Sequence, residues 1–158
     1  MGNPALCWPG NSLMDGITEL DGALQGLLTQ IGPQGRRALA REIAARIRQR
    51  NQQRVADQVA PDGTPFTPRL RAKRGSIKRR MFVRLRTARW LKARSSADEA
   101  VVEFVGAAAR IACVHHGGLR DRVRPGGPEH QYAARPLLGI NGDDIGLLES
   151  LVVDHIAR

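Results

Sequence analysis

Aromatic residues and cysteines are scarce in this 158-residue chain, and long apolar runs are missing. Aromatic residues make up 4% of it, so we expect a core of Leu, Ile, Val and Ala. Two cysteines, Cys7 and Cys113, are too few for a disulfide framework. No apolar run approaches the roughly 20 residues of a membrane span, and no basic residue that could open a secretory signal precedes Arg36. The composition favours a single soluble domain without a membrane partner.

The chain is poor in acidic residues, and its net charge of +10 is concentrated in the middle. Residues 1–33 carry −3, residues 34–60 carry +5, residues 61–94 carry +11 and residues 95–158 carry −3. A basic middle between two acidic ends predicts a partner surface, which could be nucleic acid or an acidic protein.

Two amphipathic helices are predicted before residue 60. The first runs from Leu13 to Ile31, where apolar residues recur at steps of three and four, and Gly32-Pro33 ends it. The second runs from about Gln34 to Val59. Its apolar face comprises Leu39, Ala40, Ile43, Ala44, Ile47, Val55 and Val59.

A proline-rich turn and a basic arm follow. In the turn, residues 61–68, Asp62-Gly63 predicts an Asx turn with positive φ at the glycine, and the prolines fix their own φ. Residues 69–80 have almost nothing to bury, which predicts an arm or loop. Its bases are Arg69, Arg71, Lys73, Arg74, Lys78, Arg79 and Arg80.

The C-terminal half alternates between helix and strand patterns. We predict a short helix from Met81 to Ala88, a β-hairpin with strands near 89–95 and 100–106, and a helix from Ala107 to His116. A loop or irregular hairpin at 119–130 and a strand beginning at Gln131 follow. A last helix begins after a cap at Asn141 or Asp143. The fold class predicted is mixed α+β, a small antiparallel sheet flanked by helices in one domain.

Catalytic and metal-binding patterns are weak. Cys113, His115, His116 and His130 follow no zinc spacing, and a structural role for them is favoured. Phosphate-binding loops of the GxGxxG and GxxxxGK[ST] types are missing. The acidic pairs at 98–99 and 143–144 are better explained as a turn tip and a helix cap. We therefore predict a protein that is not an enzyme and needs no cofactor or metal.

Nucleic-acid binding is the main alternative that the composition leaves open. Residues 69–94 hold twelve bases, a plausible stripe for phosphate contacts. Stacking of single strands needs aromatic side chains, however, and Phe82 and Trp90 are the only two in this stretch. No helix-turn-helix, zinc-finger or RNA-recognition signature accompanies it.

The order of several short segments resembles the phage virion morphogenesis family. The PDGTPFTPR turn leads through the basic stretch to Met81-Phe82, a strand at 101–105, the IAxVHxG motif ending at Gly117, and the ARPLLG motif at 134–139. The resemblance covers roughly residues 36–156, whereas residues 1–33 depart from it. The motif positions are Asp62, Gly63, Thr64, Pro65, Pro68 and Arg69 in the turn, and His115, Gly117, Arg135 and Pro136 in the core.

The resemblance implies a structural protein of the virion neck. Members complete or terminate the tail of contractile-tailed phages and join it to the head, working as rings. Expected partners are other copies in a hexameric ring, tail tube and sheath proteins, and head–tail connector proteins, with genomic DNA passing through the ring without specific recognition. The arm residues Arg71, Lys73, Arg74, Lys78, Arg79 and Arg80 are expected to dock on another protein chain. The alternative function is that of a small basic nucleic-acid-binding protein.

Overall fold

Three helices and two pairs of short strands follow one another in the computed structural model, which describes residues 32–69, 79–122 and 125–157. The order is α1 (Pro33–Asp57), β1 (Leu91–Ser95), β2 (Ala100–Phe104), α2 (Ala107–Gly117), β3 (Arg120–Arg122), β4 (Glu129–Gln131) and α3 (Gly142–Ile156). Strand β1 pairs with β2, and β3 pairs with β4. The mixed α+β class is confirmed. The predicted helix from Leu13 to Ile31 lies outside the described residues.

The chain divides into two compact units. The first unit contains Asn51–Leu91 and Phe104–Gly139, and the second contains Lys92–Glu103, the last helix and α1 as far as Arg50. Helix α1 and the β1–β2 hairpin therefore each contribute residues to both units.

The second unit buries one face of α1 and one face of α3. On α1 the buried residues Leu39, Ala40, Ala44 and Ile47 follow the predicted spacing. Leu151 and Val152 are their buried counterparts on α3. Helix α3 begins at Asn141, whose side chain accepts from the Asp144 backbone N–H while the Asp144 carboxylate accepts from that of Asn141. This reciprocal capping box fixes the start of α3, and it selects Asn141 from the two predicted caps.

The first unit has its own apolar core. This core is formed by residues of the end of α1, the proline-rich turn, the first residue of β1, the last residue of β2, α2 and the ARPLLG motif. Its buried apolar residues are Val55, Ala60, Phe66, Met81, Leu85, Leu91, Phe104, Ala108, Ala112, Val114, Leu137 and Leu138. Aliphatic residues dominate this core, as the scarcity of aromatics predicts. The three motif segments of the sequence all contribute to it or border it.

The helix predicted from Met81 to Ala88 is wrong. Residues 81–90 form a succession of turns, and Phe82 has φ +61°, in the left-handed region. The Phe82 carbonyl accepts from both the Leu85 and Arg86 N–H groups, at 2.9 and 3.3 Å, and Thr87 Oγ1 donates to the Arg84 carbonyl at 2.7 Å. Side-chain donors that bond nearby carbonyls compete with helix, so local bonds replace a continuous helical ladder here.

The strand predicted to begin at Gln131 is also wrong, because residues 132–141 form no strand. Strand β4 ends at Gln131, having paired antiparallel with β3 so that Asp121 lies opposite His130. The irregular hairpin predicted for 119–130 is thereby confirmed. Beyond it the chain continues without a strand partner. The α2 helix agrees with prediction, and Gly118 ends it in the left-handed conformation.

Helices long and apolar enough to span a membrane do not occur among the residues that the structure describes.

Candidate functional site

The proline-rich turn closes on itself through Asp62. Thr64 donates to Asp62 Oδ1 twice, from its backbone N at 2.9 Å and from Oγ1 at 2.6 Å. These hydrogen bonds stabilise the carboxylate, and the Thr64 hydroxyl contributes most to lowering the pKa of Asp62. Gly63 has φ +83°, which confirms the predicted positive φ. The turn is thus fixed by backbone geometry and by its own side chains.

Arg135 joins the far end of this turn to α2. Its guanidinium is buried, with 6% of the residue exposed. Nε donates to the Thr67 carbonyl at 2.7 Å, and Nη2 donates to the Pro68 carbonyl at 3.4 Å. Nη1 lies 3.3 Å from His115 Nδ1 and donates to the Ala133 carbonyl at 3.2 Å. We call this set of contacts the arginine clasp. It brings together three motif segments that are far apart in sequence.

His115 is the acceptor in the clasp. A guanidinium can only donate, so His115 Nδ1 must accept, and the imidazole is neutral with its proton on Nε2. Burial, followed by the charges of Arg135 and Arg69, lowers the pKa of His115 to about 4. The His115 ring also packs edge-on against Phe82 and Tyr132, with centroid distances of 4.9 and 4.8 Å. A neutral, enclosed imidazole fits a structural role.

The ARPLLG motif forms no strand, and its backbone N–H groups bond to α2 and α1. The Arg135 N–H donates to the His115 carbonyl at 2.7 Å, and the Leu137 N–H donates to His116 Nδ1 at 3.2 Å. The Gly139 N–H donates to Asn51 Oδ1 at 2.9 Å. Pro136 lies between these donors and has no N–H of its own. Every second N–H group of this segment is therefore hydrogen-bonded, as in a strand, but the accepting groups belong to α2 and α1.

Two glycines in this region are required by close packing. A Cβ on Gly118 would lie 2.7 Å from the Ala134 backbone nitrogen, and Gly118 also has φ +62°. A Cβ on Gly139 would lie 2.5 Å from Pro61 Cγ. Gly117, the glycine singled out in the sequence motif, meets only the flexible Leu119 side chain at 3.3 Å. The structural requirement therefore falls on Gly118 and not on Gly117.

The two ends of the basic arm lie close together. Arg69 Nη2 donates to the Arg80 carbonyl at 3.3 Å, and Arg80 Nη1 donates to the Ala56 carbonyl at 2.8 Å. Arg71, Lys73, Arg74 and Lys78 lie outside the described residues. Arg79 is exposed and follows them directly. The described residues therefore fix only the base of the arm.

Sequence reasoning missed two amides that position the site. The Gln58 side chain bonds both backbone groups of Met81, donating from Nε2 at 2.9 Å and accepting at Oε1 at 2.8 Å. Asn51, which is 1% exposed, holds Gly139. Its position could have signalled this, because Asn51 interrupts the apolar face midway between Ile47 and Val55. Gln58 gave no such signal, since its role follows from φ +63° at the end of α1.

Metal ligands do not cluster among the described residues: no group of three or more His, Cys, Asp or Glu side chains could hold an ion. What the arrangement can do chemically is hold backbone segments in place. Arg135 uses Nε, Nη1 and Nη2 in contacts with the chain itself, and His115 uses Nδ1.

The similarity of this chain to known proteins extends beyond these motif segments to most of its length. The model described as the phage virion morphogenesis family matches residues 15–157, and the chain belongs to this family. It is 42% identical to tail completion protein S of Escherichia phage P2 over 150 residues, which cover 92% of this chain and 100% of the relative. No solved structure matches the chain. The match begins at residue 15, so the expectation that all of residues 1–33 depart from the family is wrong.

Proposed function

We propose that this chain is a structural tail completion protein of a contractile-tailed phage, a virion component without catalytic activity. The observation that carries the proposal is the 42% identity extending over 100% of tail completion protein S of phage P2. The arginine clasp supports it, because the motif residues Arg135 and His115 direct polar atoms to the chain itself and so stabilise an architecture. A residue acting on a substrate would need such atoms to be available.

The finer proposal concerns place and partners. The chain acts at the head-proximal end of the tail, where copies form a closed ring, sixfold to match a contractile tail. This ring caps the tail tube and joins tail to head, contacting tube, sheath and head–tail connector proteins. Genomic DNA passes through it without sequence recognition. Assembly takes place in the host cytoplasm.

A joining experiment tests this function. The phage that encodes this chain is propagated with the gene interrupted by a stop codon, and the lysate is examined by electron microscopy. We expect separate heads and tails, and we expect purified chain added to the lysate to restore joined, infectious particles. Heat-denatured chain is the control. Joined particles in the absence of the chain would contradict the proposal.

The exposed arginines favour a second candidate, a small nucleic-acid-binding protein. Arg79, Arg80, Arg84 and Arg89 are all exposed in the first unit. Such a protein should prefer a base sequence or nucleic-acid structure beyond phosphate count, whereas a neck protein should show only weak, salt-sensitive binding. Fluorescence anisotropy with matched duplex and single-stranded DNAs separates the two.

The arm is proposed to dock on another virion protein. Burying unpaired charge costs several kcal/mol for each group, so these bases cannot enter the chain's own core. The test replaces Lys73, Arg74, Lys78, Arg79 and Arg80 with Ser together. Circular dichroism should show a retained fold, while restoration of joining should fail. Normal joining by the neutralised chain would leave the arm as a solvated loop.

A further inference from the structure

The turns that follow the arm in the first unit carry positive charge beside an exposed aliphatic side chain. In the turns after the arm, Val83 is 45% exposed, and Arg84 and Arg89 are exposed beside half-buried Arg86. We call these four residues the basic turn face. The described carboxylates of the same unit have other partners: Asp121 pairs with Arg110 at 2.6 Å, Glu129 pairs with Arg122 at 3.9 Å, and Asp57 and Asp62 accept hydrogen bonds from Gln53 and Thr64. None of the three arginines forms an ion pair with a described residue.

The outer side of α3 has the opposite charge. Helix α3 contains no lysine or arginine, and Asp143, Glu149 and Asp154 are exposed on it. Asp144 is different, because it is fully buried and pairs with Arg50 at 2.7 Å. The three exposed carboxylates form no ion pair with any residue that the structure describes.

An apolar centre also lies between these carboxylates. Each residue turns a helix by about 100°, so Val153 projects away from the buried Leu151–Val152 side, with Asp154 flanking it on one side and Glu149 on the other. Val153 is 62% exposed and Ile156 is 37% exposed. We call Asp143, Glu149, Val153, Asp154 and Ile156 the acidic helix face.

We propose that the basic turn face of one copy docks on the acidic helix face of a second copy of this chain. The two faces carry charges of opposite sign, and each includes exposed aliphatic residues: Val83 on the basic turn face, and Val153 and Ile156 on the acidic helix face. A single exposed ion pair contributes little. The contact therefore depends on several ion pairs that form together and on the exclusion of water from the interface. This inference rests on the proposed function, since it names the surface through which the neck ring assembles.

The two faces are different surfaces of one chain, so the contact can repeat head-to-tail from copy to copy. A head-to-tail contact closes into a ring when the rotation between copies allows it, which fits the ring of the proposed function. Because opposite charges carry the contact, the association should weaken as salt rises.

Photo-crosslinking tests the contact directly. Val83 is replaced with the photoreactive residue benzoylphenylalanine in natural-abundance chain, which is mixed with ¹⁵N-labelled chain and irradiated. Mass spectrometry should find position 83 linked to a peptide from α3, with one partner labelled and the other not. The same crosslinker replacing Ala45, exposed on α1, is the matched control and should not reach α3 of another copy.

Charge reversal gives a second, independent measurement by analytical ultracentrifugation. Arg84→Glu with Arg89→Glu should weaken self-association at low salt at least tenfold, and Glu149→Arg with Asp154→Arg should do the same. The four changes combined should return it to within about threefold of the parent. Arg37→Glu with Arg41→Glu, two exposed positions on α1, is the control for total charge and should have little effect.

The outcomes separate the two proposals. A chain that crosslinks between copies but does not restore head–tail joining keeps the interface and overturns the proposed function. A chain that restores joining but yields no position 83–α3 crosslink in the joined particles overturns the interface. A monomer at every concentration, with duplex DNA binding lost on reversal of Arg84 and Arg89, would also overturn it and assign the basic turn face to nucleic acid.

Discussion

Each of the two units holds one arginine against buried groups, but the two arginines differ in their exposure and in their partners. In the second unit the Arg50 side chain is 41% exposed and pairs with Asp144, whose carboxylate is fully buried. In the first unit Arg135 is itself buried, and its described partners are carbonyl groups and the neutral ring of His115. Arg50 compensates the buried charge of Asp144, whereas Arg135 is itself a buried charge.

The difference teaches which partner each unit depends on. A half-exposed guanidinium such as that of Arg50 can be hydrated when its carboxylate is lost. Removal of Arg135 has a larger consequence, because it leaves hydrogen-bond acceptors from three chain segments without a donor. The first unit should therefore be the more sensitive to loss of its arginine. Four predictions test this comparison.

The largest expected effect is that of Arg135→Ala. It should lower the free energy of unfolding by about 3 kcal/mol or more, because several charge-assisted hydrogen bonds are lost and partly buried acceptors are left without their donor. Urea unfolding followed by circular dichroism measures this.

Two control variants sharpen the result. Arg135→Lys retains the charge but has a single nitrogen, so it cannot reach residues 67, 115 and 133 together and should recover less than half of the loss. Arg84→Ala, at an exposed position, should stay within about 0.5 kcal/mol of the parent. An Arg135→Ala protein as stable as Arg84→Ala would mean that the clasp contributes nothing.

Asp144→Ala should have the next largest effect, about 2 kcal/mol. It removes the ion pair with Arg50 and one half of the capping box at the start of α3. Asp143→Ala is the matched control, because Asp143 is exposed in the same helical turn and should change stability by less than about 0.5 kcal/mol. If Asp144→Ala were more destabilising than Arg135→Ala, the contrast between the units would be reversed.

Local patterns predict the elements whose hydrogen bonds are local. The apolar spacing of Leu39, Ala44 and Ile47 predicts α1, and the Asp62-Gly63 pair predicts a turn with positive φ. The family resemblance is likewise carried by short motifs such as PDGTPFTPR and ARPLLG. Each of these signals depends on residues a few positions apart.

The rest depends on contacts that no local pattern encodes. The segment after Gln131 has the alternation of a strand, yet Asn51 and His116 accept its amides from far away in sequence. Phe82 carries no residue-type signal for positive φ, so the helix predicted around it was wrong. The clasp could not be foreseen either, since Thr67, His115 and Arg135 meet only in the folded chain.

Gly63→Val tests the turn that delivers the Thr67 and Pro68 carbonyls to Arg135. Nothing lies within 4 Å of the position of a Cβ at Gly63, so the effect should come from backbone strain at φ +83° alone. We expect a loss of about 1–3 kcal/mol in thermal or urea unfolding. Gly146→Ala, in open space on α3 without positive φ, should be neutral or slightly stabilising. A Gly63→Val melting curve that overlays the parent would show that the turn carries no such strain.

The smallest effect, and the one that isolates the acceptor of the clasp, is a pH dependence. The pKa of His115 falls from 6.5 to about 4 in the folded protein, so the unfolded chain takes up this proton first. Stability should therefore be fully present above about pH 6.5 and decline as the pH falls toward 4. Burial also lowers the pKa of His116, which acts in the same direction. His115→Asn keeps an acceptor oxygen near the place of Nδ1 but cannot titrate, so its stability should decline less steeply between pH 6.5 and 4. His116→Asn is the matched control, and the two slopes measured by urea unfolding apportion the effect. If His115→Asn kept the full slope of the parent, Arg135 would not be donating to a neutral imidazole, and its clasp would rest on backbone carbonyls alone.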